Sequence, residues 1–106
     1  MAFYIKQNDT SPSILAELKD ANNTPVNITA ATAKIFVKAI DGTLKIDSSV
    51  QIINAALGTV RYDWQTGDTD TVGTYSVEFQ VTYTDGSIET FPNTGSLALV
   101  VTKELN

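Results

Sequence analysis

Residues 60 to 77 read Val60-Arg61-Tyr62-Asp63-Trp64-Gln65-Thr66-Gly67-Asp68-Thr69-Asp70-Thr71-Val72-Gly73-Thr74-Tyr75-Ser76-Val77, and this stretch decides the fold. Val60, Tyr62 and Trp64 alternate with Arg61 and Asp63, which is the period of a strand with one buried face. A polar corner follows. Beyond it Tyr75, Val77, Phe79, Val81 and Tyr83 alternate with Ser76, Glu78, Gln80, Thr82 and Thr84, a second and longer strand. The same period extends outward in both directions. Ile14, Ala16 and Leu18 share a face opposite Leu15, Glu17 and Lys19, and Ala33, Ile35 and Val37 one opposite Lys34, Phe36 and Lys38. Asp41-Gly42 and Asp85-Gly86 stand between strand patterns and predict two-residue type I′ hairpins, whose central residues need positive φ. Leu97, Leu99 and Val101 form the last strand. Pro92 and Gly95 just before it predict an edge broken in two. The one short helical candidate, Asn54 to Leu57, stops at Gly58.

The corner itself resembles the E-F corner of immunoglobulin domains. There an acidic residue is followed by a small residue at +3 and a Tyr at +5 whose hydroxyl bonds back to the backbone upstream. Asp70, Gly73 and Tyr75 sit at those offsets, and Val77 stands where an antibody domain carries its second cysteine. The strand Ala33 to Ile40 has no Trp, so Ile35 and Val37 must fill the centre. The expected fold is therefore all-β: an immunoglobulin-like antiparallel β-sandwich of seven to nine strands, with residues 1–106 as a single domain.

Composition limits the chemistry. The chain has 106 residues, 7 Lys+Arg against 12 Asp+Glu, and neither His nor Cys. Thiolate catalysis, the Ser-His-Asp and Cys-His arrangements and the usual zinc, copper, haem and iron-sulfur sites need those residues. No catalytic residue, cofactor or metal is expected. A net charge of −5 argues against nucleic acid, whose phosphates are bound by Lys and Arg. The start, Met1 to Gln7, lacks the basic and apolar regions of a signal peptide, and no apolar run is long enough to span a membrane. Asn8, Asn22 and Asn27 begin N-x-T triplets, which a Thr-rich chain produces by chance.

Four runs taken in order carry a closer resemblance: Phe3-Tyr4-Ile5-Lys6-Gln7-Asn8-Asp9-Thr10-Ser11-Pro12, Pro25-Val26-Asn27-Ile28-Thr29-Ala30-Ala31-Thr32, Tyr62 to Asp70, and Glu89-Thr90-Phe91-Pro92-Asn93. Together they look like the N-terminal domain of phage upper baseplate proteins. That resemblance covers almost the whole chain. It implies an immunoglobulin-like sandwich that attaches a receptor-binding assembly to the virion, without catalysis. Multidomain members continue into a helical linker and a distal domain. This sequence stops at Asn106 and, as a stand-alone chain, is expected to act through its own surface.

Asp63, Asp68 and Asp70 form an oxygen-rich cluster open to a calcium reading, but the D-x-D-G order and bidentate Glu of a calcium loop are missing, and turn chemistry explains them better. Glu78 and Glu89, expected to face each other across the Asp85-Gly86 hairpin, form the other acidic pair and read as a solvated sheet face rather than a glycosidase dyad. Tyr62, Trp64, Tyr75 and Tyr83 fall on inward faces and read as core, not as a carbohydrate platform. Tyr4 points opposite to Phe3 and Ile5, and Phe36 lies between two lysines. These two aromatics are the candidate partner contacts. The expected role is a non-enzymatic virion component docking on other tail, baseplate or head proteins, with a homo-oligomer left open. A weak carbohydrate- or host-surface-binding domain on the particle is the alternative.

Overall fold

The structure, a computed structural model, describes residues 2–105. Nine strands are present among them: β1 (Ala2–Lys6), β2 (Ile14–Glu17), β3 (Thr32–Ala39), β4 (Leu44–Ser49), β5 (Gln51–Asn54), β6 (Thr59–Tyr62), β7 (Gly73–Thr82), β8 (Ile88–Phe91) and β9 (Leu97–Thr102). They form a sandwich of unequal layers. The larger sheet runs β1-β9-β7-β3-β4 with β8 also on β7, and the smaller runs β2-β6-β5. The inward residues of the alternating patterns meet between them. Ile35, Val37, Val60, Val77, Phe79, Val81, Leu99 and Val101 are essentially without solvent contact, and at about 1.5–3 kcal/mol per buried side chain they supply most of the driving force for folding.

The ladder is antiparallel with one exception. β1 runs parallel to β9, pairing Ala2 with Ala98 and Lys6 with Thr102, so the sandwich is mixed rather than wholly antiparallel. Alternation assigns a residue to a face but does not choose its neighbouring strand. The broken edge is real: β8 pairs with residues 79–82 of β7 and β9 with residues 73–77, end to end along one side of it. The chain also changes layers without a loop. β4 belongs to the larger sheet and β5 to the smaller, with only Val50 between them, its N–H donated to the Ala33 carbonyl at 3.1 Å.

Both hairpins differ from the type I′ expectation. Gly42 and Gly86 have positive φ but Asp41 and Asp85 do not. Gly42 N–H bonds to Ala39 O and Gly86 N–H to Tyr83 O, both at 2.9 Å, and the strands close one residue later, at Thr43 and Ser87. These are three-residue loops ending in a glycine bulge. The aspartates act through their side chains, each accepting the N–H of the residue after the glycine at 2.9 Å.

The helical candidate is a single 3-10 turn, Ala55–Leu57, capped by the Asn54 side chain and ended by Gly58 in the left-handed region. A Cβ on Gly58 would lie 2.6 Å from Val26 O and 2.9 Å from Leu18 O, both backbone atoms. Gly95 has a similar φ but open space around it. Gly58→Ala should therefore lose at least about 2 kcal/mol, from left-handed strain plus displaced backbone, whereas Gly95→Ala should lose only the strain, about 1 kcal/mol. Urea denaturation of the two variants checks the difference.

Candidate docking surface

The polar residues singled out in the corner are engaged within the fold. Tyr75 donates its hydroxyl to Thr71 O at 2.6 Å, and a Cβ on Gly73 would stand 3.8–3.9 Å from the Tyr75 ring. Asp70 accepts from Lys45 Nζ at 2.6 Å and from Thr71 Oγ1 at 2.9 Å, and the lysine, then the threonine, hold its carboxyl below the usual value. Asp68 accepts from the Tyr62 phenol at 2.5 Å and the Gln65 N–H at 2.8 Å. Burial first, then this carboxylate, push the Tyr62 phenol above its ordinary value. Asp63 accepts from Ser13 Oγ at 2.5 Å and lies 3.1 Å from Arg61 Nε, an ion contact without hydrogen-bond geometry. The three aspartates thus face three separate sets of donors rather than one shared centre.

Glu78 and Glu89 do not face each other. Glu89 pairs across the ladder with Val81, an inward residue, while Glu78 pairs with Phe36 on the outer face. The three-residue loop sets that register and places the two carboxylates on opposite sides of the sheet. Glu89 instead accepts from the Tyr83 hydroxyl at 2.7 Å. Tyr62, Trp64 and Tyr75 are buried and Tyr83 is half-buried; Trp64 meets Tyr62 edge-on at 5.4 Å and donates its indole N–H to Pro12 O at 2.9 Å.

The exposed apolar side chains are spread over both sheets and their loops: Tyr4, Leu44 and Ile88 on the larger sheet, Leu15 and Ile53 on the smaller, and Ile40 and Val72 in loops. Tyr4 is 68% exposed on β1, the free edge strand, with Val100 as its cross-strand neighbour. Phe36 shares this outer face three strands away. Its ring is half-buried beside Leu44, with Lys34 Nζ 5.3 Å from the ring centroid and held there by Asp47 at 2.7 Å. The structure thus brings both aromatics to one face without joining them. Reading the sequence missed Ile40, 88% exposed in the β3-β4 loop, and Val72 in the facing corner. An apolar residue beside an Asp-Gly turn, where loops are ordinarily polar, was the available signal.

A β-sandwich with its acidic corner residues held in turns and ion pairs and with apolar side chains left on its surface has the features of a structural module. The chain belongs to the family of the BppU N-terminal domain, whose model matches residues 2–104, and is a phage baseplate structural domain; the family implies a component of the phage particle. That family is not a known enzyme family. Comparison with curated proteins gives no match. Among solved structures, the crystal structure of CopC from Methylosinus trichosporium OB3b is similar in fold, with a TM-score of 0.54 at 16% identity over 97% of this chain and 85% of that one.

Two measurements test the polar contacts. Tyr75→Phe should keep the fold and lose about 0.5–1.5 kcal/mol, more if Thr71 O is left dry, read from denaturation midpoints. Burial first, then Glu89, push the Tyr83 phenol up to about 12. A pKa raised on folding stabilises the protein while the group is protonated, so this contribution is complete below pH 10, the unfolded value, and is lost between pH 10 and about 12. Tyr83→Phe should show a smaller fall in stability across that window.

Proposed function

We propose that residues 1–106 form one non-enzymatic docking domain that seats on another virion protein through the outer face of the larger sheet, with Tyr4 on its edge strand as the main contact and Phe36 as a second. One observation carries this reading: a tyrosine ring 68% exposed on a strand whose outer edge is unpaired among the described residues. A tyrosine of this kind offers a flat apolar face, a hydroxyl and low side-chain entropy, the properties that make tyrosine frequent among residues dominating interfaces. Its strand bears a single charge, Lys6, so edge pairing meets little electrostatic resistance.

Tyr4→Asp tests the reading. A charge on a solvated face changes stability by no more than about 0.5 kcal/mol, so the isolated variant should melt like the wild type. In particles it should be under-represented by tenfold or more, because a desolvated contact rejects an unpaired carboxylate. Incorporation at the wild-type level, measured by quantitative immunoblotting of purified particles, would refute the contact.

A further inference from the structure

The two sides of the sandwich are closed differently. On one side the chain passes directly from β4 to β5 at Val50. On the other, β1 and β2 are linked only by residues 7–13, at the Lys6 end. Toward Ala2 that side opens into a groove of about 520 Å³ walled by Phe3, Ile14, Ala16 and Leu97. Its origin is the mismatch between layers. The smaller sheet ends at β2, so the inward side chains of Phe3 and Leu97 lack the strand that would cover them and are only partly buried.

The edge facing this groove has its backbone groups turned outward. Leu18 donates to Gly58 O at 2.8 Å and accepts from Val26 N–H at 2.9 Å, both on the β6 side, and Ala16 and Ile14 keep that orientation in register with Val60 and Tyr62. Alternation then directs the N–H and C=O of Leu15 and Glu17 to the free edge. On β1, Gln7 donates to Thr102 O at 2.7 Å, so the even-numbered Tyr4 faces outward in the same way.

We propose that the groove accepts an extended, uncharged segment of another virion protein, alternating apolar with polar residues, which pairs with β2 as a fourth strand and covers Phe3 and Leu97. This rests on the docking reading and names how one partner is held. Charge and size select the occupant. Glu17 and Lys19, the charged residues lining the groove, lie 3.4 Å apart and neutralise each other, so a neutral segment complements them best. A second copy would bring −5 against −5. Edge-to-edge contact through β1 and β2 would engage strands of five and four residues, well below the roughly 20–30 residues a side of a stable interface. An inserted strand needs no such breadth, because one edge and one face of it are enclosed.

A capped heptapeptide of alternating threonine and valine serves as the probe. At about 1 mM, a weak-binding concentration, it should slow amide hydrogen exchange at Leu15 and Glu17 of the full chain several-fold, and Ala16→Phe, which fills the groove, should abolish the effect. Leu15→Pro is the second variant, since proline is tolerated on an edge but removes the outward N–H; it should abolish the protection at Glu17, and protection retained there overturns the proposal. Unchanged exchange at Leu15 and Glu17 overturns the proposal. So does protection at Tyr4 alone, which would place the strand on β1, or protection accompanied by dimerisation without peptide in sedimentation, which would make a second copy the occupant. Failure here with Tyr4→Asp still excluded from particles would remove the groove and leave the docking reading intact.

Discussion

The Asp68 carboxylate sits where the chain leaves one sheet for the other, and the relative placement of the layers depends on it. It accepts from the phenol of Tyr62, the last residue of β6, and from the N–H of Gln65 in the turn that follows. The next residue continues the tie. Thr69, a buried polar residue, donates its hydroxyl to Asp9 O at 2.7 Å and accepts at its carbonyl from Asn8 N–H at 2.9 Å, while Trp64 reaches Pro12 O. Two connections, residues 7–13 and 63–72, are thereby bonded to each other. Thr69 is buried, so displacing residues 7–13 would leave its hydroxyl and carbonyl without partners, at about 1–3 kcal/mol for each group left dry. The joint closure of the two connections is also why the β1-β2 side is sealed at this end and open at the opposite one.

The strands were legible because alternation records which side of each segment is dry. Tyr4 was legible for the same reason, standing between Phe3 and Ile5 with its ring on the other face. Three features were not. The parallel β1-β9 pair depends on strand order, which alternation does not encode. The crossing at Val50 uses a run that reads as one strand, because both halves keep period two while the sheet they join changes. The Asp-Gly loops were placed correctly but typed wrongly: the pair fits both a two-residue loop and the last two positions of a three-residue one, and the ladder register decides between them. That same register separated Glu78 from Glu89.

The groove was invisible in the sequence for a related reason. Ile14 and Ala16 read as core residues, and their faces are inward. Whether an inward face is covered depends on the width of the opposite sheet, a property of the whole topology. Leu15 was the local signal. It is an apolar residue on the polar side of its strand and is 62% exposed.

The exposed apolar groups do not weaken the isolated domain, because the unfolded chain exposes them as well and folding neither gains nor loses by their hydration. The free energy of removing them from water is therefore still available to association. For Tyr4 alone it is of the order of 1.5–3 kcal/mol, below the cost of immobilising two proteins against each other, which is about 4 kcal/mol or more. A single ring therefore does not hold a partner. Stable seating needs directional bonds from a strand edge, or apolar surface enclosed on more than one side, acting together with the ring. The larger sheet supplies the ring and the mismatch between layers supplies the edge and the enclosure, so the unequal sheets that leave this fold incomplete on one side also bring these elements together at the Ala2 end of the domain.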